Sequence, residues 1–116
     1  MTVSIYHNPR CSKSRQTLQL LEQNGLTPEI VEYLKTPPDA GTLGRLLDML
    51  GLEPRELMRT KEAEYKSSGA DHPGLTRAQL IDLMVAHPKL IERPIVVYNG
   101  RATLGRPPQR VLELKS

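Results

Sequence analysis

Residues 3–34 read VSIYHNPRCSKSRQTLQLLEQNGLTPEIVEYL, and three patterns follow one another in this stretch. Strand-forming residues alternate over 3–6, polar turn residues interrupt them at 7–10, and leucines at helical spacing follow until Gly25, a typical helix-ending residue. Residues 27–34 return to the strand pattern. A strand, a helix and a strand in this order predict a β-α-β unit with parallel strands and a right-handed crossover.

The middle of the chain, residues 36–91, carries helical patterns only. The predicted elements are a leucine-rich helix that starts after Asp39 and stops at Gly51, a short helix over 55–60, a loop over 65–74, and a helix that Thr76 caps and that ends near Pro88. We interpret this part as a helical insert in a single domain that spans 1–116, because 116 residues are cramped for two independent cores.

The last part of the chain returns to strands. A dense apolar strand is predicted over 93–98, and Asn99-Gly100 is a strong hairpin signal before a returning strand over 101–105. A final helix is predicted to open at the Pro107-Pro108 pair and to bury Val111 and Leu112, with Leu114 as a further candidate. The complete order predicts an α/β fold, a mixed sheet with helices on its faces.

Composition excludes several classes of function. The net charge of +3 contains no dense basic stripe, and four tyrosines are the only aromatic residues, so nucleic-acid binding is not expected. No apolar run is long enough for a membrane span, and the N-terminus does not resemble a signal peptide. We therefore expect no membrane partner and a cytoplasmic protein. We also expect a monomer, since no apolar stripe is left over once the core is filled.

The chain has one cysteine, Cys11, so it forms no internal disulfide, and its three histidines show no metal-ligand spacing. Cys11 falls where the first strand meets the first helix, and there the helix N–H groups, Arg10, Lys13 and Arg15 all favour a thiolate. An inert buried thiol is the alternative, although such thiols usually have apolar neighbours. For Lys13, a role as an ordinary solvated charge is as good an interpretation.

The residues around Cys11 exclude two classes of cysteine enzyme. Three residues separate Cys11 from Arg15, too few for the phosphate-wrapping loop of a cysteine phosphatase. Without a Cys-x-x-Cys motif, the chain cannot act alone as a dithiol oxidoreductase. Any adduct or disulfide on Cys11 must be resolved by an outside thiol, for which free glutathione or a glutaredoxin-like protein is the obvious source.

Four blocks of the chain resemble the glutaredoxin-dependent arsenate reductase family. They are IYHNPRCSKSR at 5–15, YLKTPP at 33–38, ERPIVV at 92–97 and LGRPP at 104–108. The resemblance implies a thioredoxin-like fold with a helical insert and reduction of arsenate to arsenite. It also implies that Cys11 attacks arsenate, that glutathione then joins the adduct and releases arsenite, and that glutaredoxin clears the mixed disulfide. Glutathione is a co-substrate in this scheme, and no cofactor or metal is bound.

The resemblance also assigns roles to other residues. The family's three anion-binding arginines match Arg59, Arg93 and Arg106, and guanidinium forks suit a tetrahedral oxyanion. Surface ion pairing is the alternative for each arginine. It is strongest for Arg59, which Glu56 and Glu62 flank at helical spacing.

Three further positions take roles from the resemblance. His7 matches a histidine linked to the low pKa of the thiol, and Ser14 matches a serine that hydrogen-bonds the thiolate. Pro94 matches the cis proline that opens a strand beside the active site in thioredoxin-like folds, which would bring Arg93 beside Cys11. Cis X-Pro bonds are uncommon, so this is a sharp prediction.

Two other functions stay open. Lys13 departs from the smaller neutral pair that often follows the cysteine in arsenate-reducing members, a change of local charge that bears on substrate preference. The first alternative is a glutathione-dependent thiol reductase or a deglutathionylating enzyme on the same site, which needs Cys11 and a glutathione pocket but not all three arginines. A non-catalytic redox regulator that binds RNA polymerase is the second alternative. Its family typically carries Cys-x-x-Cys, whereas this chain has Ser14 in place of the second cysteine.

Overall fold

The computed structural model describes residues 3–115, which form two compact units. The first unit joins residues 3–36 to residues 93–115, and the second is Pro37–Glu92. The second unit therefore spans the predicted helical insert to within one residue at each end.

The first unit is built on a four-stranded sheet. Its elements are β1 (Val3–Tyr6), α1 (Ser12–Gln23), β2 (Glu29–Val31), β3 (Ile95–Tyr98), β4 (Arg101–Leu104) and a 3-10 helix, Pro108–Lys115. The strand order is β2-β1-β3-β4. The strands β1 and β2 are parallel and the other pairs are antiparallel, which confirms the predicted mixed sheet and the parallel β-α-β unit.

The core of this unit lies on one face of the central strands. Ile5 on β1 pairs with Ile30 on β2 and Val96 on β3, and both Ile5 and Val96 are fully buried. The buried cluster collects the inward residues of both strands, α1 and the 3-10 helix: Val3, Ile5, Leu21, Val96, Val111 and Leu114. This packing holds the end of β1 against the start of α1.

The hairpin between β3 and β4 forms as predicted. Asn99 has φ 55° and Gly100 has φ 76°. Two successive left-handed residues match the twist of antiparallel strands, and Asn-Gly adopts them at low steric cost.

Two predictions for this unit were inexact, those of the second strand and of the last helix. The strand predicted over 27–34 is only Glu29–Val31, because the carbonyl of Glu32 accepts the N–H groups of Lys35 and Thr36 in a turn. The first helix ends at Gln23 and Gly25 follows with φ 79°, which confirms that this glycine ends the helix.

The last helix, predicted with an α-helical pattern, is a 3-10 helix instead. Three residues per turn align Pro108, Val111 and Leu114, so these three side chains are buried and Leu112 is only partly so.

The second unit is helical. Its elements are α2 (Ala40–Leu50), α3 (Ala63–Ser67), α4 (Arg77–Ala86) and two 3-10 helices, Pro54–Leu57 and Pro88–Leu90. Asp39 caps α2 by accepting the Thr42 N–H at 2.8 Å, and Thr76 and Gln79 form a capping box on α4. The helix starts read from the sequence are confirmed at both positions.

Two predictions in this unit were wrong in part. The helix expected over 55–60 stops at Leu57, since the chain becomes extended at Met58, which forms a β-bridge with Ile91. The loop expected over 65–74 begins with the second half of α3. Across residues 3–115, none of the helices is long and apolar enough to cross a bilayer.

Candidate active site

Cys11 sits at the start of α1, one turn beyond the end of β1. Its N–H donates to the Asn8 carbonyl at 3.0 Å, which closes the turn between strand and helix. With φ −95° and ψ 123° it is the N-cap residue, and only 9% of it is exposed. The first N–H groups of a helix have no carbonyl of their own helix to pair with, and those of Lys13 and Ser14 act on the thiol.

The surroundings of Cys11 favour its thiolate. Burial raises the pKa of the thiol, but the backbone N–H of Ser14, the charge of Arg93, the backbone N–H of Lys13 and a hydrogen bond from Arg93 together lower the pKa below its ordinary value. Lys13 contributes through its backbone, which any residue at that position supplies. The cysteine thus has the setting of a reactive thiol.

Arg93 and Arg106 lie together in this unit. Arg106 donates from Nη1 to the carbonyl of Arg93 at 3.1 Å, and the Gly105 N–H donates to the Pro94 carbonyl at 3.0 Å. The Arg93–Pro94 peptide bond is cis, as the resemblance implied, and so is the Arg106–Pro107 bond, which sequence reasoning missed. These contacts tie the start of β3 to the end of β4 beside Cys11.

Gly105 permits this close packing. A Cβ at that position would collide with Oγ1 of Thr17 on α1 and would lie 2.8 Å from Cγ of Pro94. The carbonyl of Gly105 also accepts a hydrogen bond from the buried Thr17 hydroxyl at 3.4 Å. A glycine is needed here because α1 and the proline approach the backbone from both sides.

His7 and Ser14 form a buried pair. Nδ1 of His7 lies 2.6 Å from Oγ of Ser14, which also accepts the Asn8 N–H at 3.0 Å. Burial lowers the pKa of His7; the charge of Glu32 opposes this shift and the charge of Arg15 adds to it, and the net pKa is below its ordinary value. A neutral imidazole therefore faces the serine hydroxyl. The contact that Ser14 makes with Cys11 and that lowers the thiol pKa comes from its backbone N–H.

Arg15 supports the turn that carries Cys11. Its Nη1 donates to the Pro9 carbonyl at 2.9 Å, and this hydrogen bond joins the start of α1 to the loop that precedes Cys11. Sequence reasoning took Arg15 as a cation that favours the thiolate. Its charge also lowers the pKa of His7, and its effect on the thiolate stays a prediction.

Arg59 belongs to the second unit. Its guanidinium lies 3.3 Å from a carboxylate oxygen of Glu62. The other flanking carboxylate, Glu56, accepts the Glu53 N–H at 2.8 Å. The ion-pair alternative for Arg59 is therefore realised with Glu62, and its part in an anion site stays a prediction.

Sequence reasoning missed Asn8 as an organiser of the site. Its carbonyl accepts from Cys11, its side-chain oxygen accepts from the Arg10 N–H at 3.0 Å, and its own N–H donates to Ser14. An asparagine followed by proline is a turn signal that could have found it. Within 3–115, no three His, Cys, Asp or Glu side chains are grouped so that they could hold a metal ion.

Comparison with known proteins gives a consistent result. The sequence profile of the ArsC family matches residues 6–114. The uncharacterised protein YfgD of Escherichia coli strain K12 is 58% identical, over 97% of this chain and 95% of that protein. An arsenate reductase of Neisseria meningitidis serogroup B is 47% identical, over 94% of each chain. The structure of an arsenate reductase from Vibrio cholerae superposes with a TM-score of 0.95 at 53% identity, over 98% of each chain.

Proposed function

The chain belongs to the ArsC family, and on this premise we propose that it reduces arsenate to arsenite through the thiolate of Cys11. The observation that carries the proposal is the position of the buried Cys11 thiol at the start of α1, where the backbone N–H groups of Lys13 and Ser14 and the guanidinium of Arg93 act on it and lower its pKa. Relatives named arsenate reductases support the choice of substrate.

Arsenate is bound by arginines in this scheme. Arg93 lies beside the thiol and Arg106 is hydrogen-bonded to the backbone of Arg93, so a dianion between them meets two guanidinium groups. Arg59, which lies in the second unit, is matched to the family's third anion-binding arginine by the resemblance alone.

The first chemical step forms a bond between sulfur and arsenic. The thiolate of Cys11 attacks arsenic, one arsenate oxygen leaves as water after protonation, and arsenic remains in its pentavalent state. The arginines offset the negative charge that accumulates on the oxygens. The backbone N–H groups of Lys13 and Ser14 lower the pKa of the Cys11 thiol and so favour its ionised form before this step.

The second step transfers two electrons and needs a thiol from outside, because Cys11 is the only cysteine. Glutathione thiolate attacks the sulfur of Cys11, a disulfide forms, and the sulfur–arsenic bond breaks with its electron pair on arsenic, which leaves as arsenite. Glutaredoxin then attacks the mixed disulfide, takes up glutathione and frees the Cys11 thiolate.

A coupled assay tests this function. Oxidation of NADPH is followed with arsenate, glutathione, glutaredoxin and glutathione reductase present. Oxidation is expected to require arsenate and to vanish in Cys11→Ser, while Ser12→Ala, an exposed neighbour, keeps its activity. Oxidation in the absence of arsenate that still requires Cys11 would replace this proposal with a glutathione-dependent thiol reductase.

A further inference from the structure

The side chain of Thr17 lies between the start of α1 and the end of β4. It is fully buried, although it carries a polar hydroxyl. Oγ1 lies 2.8 Å from the Lys13 carbonyl, one turn earlier in α1, and 3.4 Å from the carbonyl of Gly105, which follows β4. A hydroxyl that bonds back to the carbonyl four residues earlier slightly weakens a helix, so the stability of α1 itself does not account for a buried threonine at this position.

Both branches of the Thr17 side chain pack against Gly105. A Cβ added to Gly105 would collide with Oγ1 of Thr17 and would lie 2.9 Å from its Cγ2. The same Cβ would lie 2.8 Å from Cγ of Pro94, which precedes β3. The size and shape of Thr17 therefore determine how closely α1 approaches the ends of these two strands.

The strand ends that Thr17 contacts carry two arginines of the candidate site. The N–H of Gly105 donates to the Pro94 carbonyl at 3.0 Å, which joins the two strand ends. Arg106 follows Gly105 and donates from Nη1 to the carbonyl of Arg93 at 3.1 Å. Arg93 is in turn bonded directly to Pro94. A change in the contact between Thr17 and Gly105 would therefore move both arginines.

We propose that Thr17 is a positioning residue, whose side chain sets the distance between the start of α1, which carries Cys11, and the strand ends, which carry the two arginines. The inference rests on the proposed function in taking Cys11 as the nucleophile and the arginines as the anion site. The contact between the Thr17 hydroxyl and the Lys13 carbonyl joins Thr17 to the first turn of α1. On the other side, Arg93 hydrogen-bonds the thiol of Cys11, so a shift of the strand ends reaches the sulfur through Arg93.

Three substitutions separate the shape of Thr17 from its hydroxyl. Thr17→Val keeps both branches without the hydroxyl, Thr17→Ser keeps the hydroxyl without the methyl group, and Thr17→Ala loses both. Thr17→Ala is expected to have the largest effect, because Oγ1 and Cγ2 both contact Gly105. Val3→Ala is the control. It also removes two side-chain atoms from a buried residue, but Val3 pairs with Tyr98, at the end of β3 away from Pro94.

The pKa of the Cys11 thiol, measured from thiolate absorbance without arsenate, is the first readout. Thr17→Ala is expected to raise this pKa in the same direction as Arg93→Ala, and Val3→Ala is expected to leave it unchanged. When Thr17→Ala is combined with Arg93→Ala, the pKa is expected to equal that of Arg93→Ala alone, because Thr17 acts through Arg93. A residue that only stabilises the fold would not show this dependence on Arg93.

The KM for arsenate in the coupled assay is the second readout. Thr17→Ala is expected to raise it about three- to tenfold, the effect of losing one charge-assisted hydrogen bond. If Thr17→Ala does not fold, Thr17→Ser and Thr17→Val are compared in the same way, with smaller changes expected. A KM that stays constant while the thiol pKa rises would contradict the proposal, because the two arginines would then not move together.

The outcomes separate this inference from the proposed function. A protein that does not reduce arsenate, but whose thiol pKa responds to Thr17 only when Arg93 is present, loses the function and keeps the positioning role. A protein that reduces arsenate while the Thr17 variants leave the thiol pKa unchanged keeps the function and loses the positioning role. An equal rise of the pKa in Val3→Ala, or an effect of Thr17→Ala that adds fully to that of Arg93→Ala, would also overturn the inference.

Discussion

The ionisation of a single sulfur atom, that of Cys11, is central to the proposed reaction. Cys11 is nearly buried, which opposes ionisation, yet two backbone N–H groups and one guanidinium more than offset that effect. Peptide N–H groups at a helix start are a property of the backbone, so they survive changes of side chain. The contribution of Arg93 is the one that a substitution can remove.

Arg93→Ala is therefore expected to raise the pKa of the Cys11 thiol, because it removes both a nearby positive charge and a hydrogen bond. The pKa is measured from thiolate absorbance as a function of pH. Lys13→Ala is the matched control: its backbone N–H is retained, so the pKa is expected to stay close to that of the unaltered protein. Equal rises of the Cys11 pKa in both variants would contradict this prediction, because they would show that any nearby positive charge lowers the pKa, whether or not it contacts the thiol.

At the scale of elements, the site depends on how closely α1 packs against the ends of β3 and β4. The Thr17 hydroxyl lies 2.8 Å from the Lys13 carbonyl and 3.4 Å from the Gly105 carbonyl, and its single proton is shared between the helix and the strand end. Pro94 lies on the other side of Gly105. Arg106 follows immediately, which makes its position depend on this contact.

Gly105→Ala is expected to destabilise the protein by about 1–3 kcal/mol, since the added methyl group collides with both neighbours. Gly44→Ala is the control, because this glycine lies inside α2 with nothing within 4 Å of an added Cβ. It is expected to stabilise the helix by about 0.5–1 kcal/mol. Urea unfolding of the two variants measures both changes, and a loss of the same size at both positions would contradict the packing argument.

At the scale of the whole molecule, the charge on Cys11 is linked to folding. Its pKa is lower in the folded protein than in an unfolded chain, so the unfolded state binds more protons between the two values. The stabilisation that results is present above the unfolded pKa and is lost as pH falls through the folded pKa. Ionisation of the Cys11 thiol therefore stabilises the folded state that lowers its pKa.

The protein is expected to become more stable relative to Cys11→Ser as pH rises. Urea unfolding with a reducing agent present, at about pH 6 and at about pH 9.5, brackets the ordinary thiol pKa. The serine variant supplies the pH dependence of all other groups. A difference between the two proteins that stays constant with pH would mean that folding does not lower the pKa of Cys11.

Much of the fold and part of the candidate site could be predicted from the sequence. The β-α-β start, the Asn99-Gly100 turn and the caps at Asp39 and Thr76 were predicted correctly because each depends on neighbours within a few positions. Cys11 was found for the same reason, since the end of a strand and the start of a helix are local patterns. The α-helix expected at the C-terminus was wrong, because a 3-10 helix there buries side chains three residues apart.

The arrangement of residues around the thiol could not be predicted from local sequence patterns. Arg93 and Gly105 are more than 80 positions from Cys11 in the sequence, and only the pairing of β1 with β3 and of β3 with β4 brings them to it. Arg15 is close to Cys11 in sequence, but only the structure shows that its guanidinium donates to the Pro9 carbonyl. Local sequence thus specifies which groups are available, since helix and turn signals act over a few residues. The folded chain specifies which groups meet, because long-range contacts depend on the packing of the whole unit.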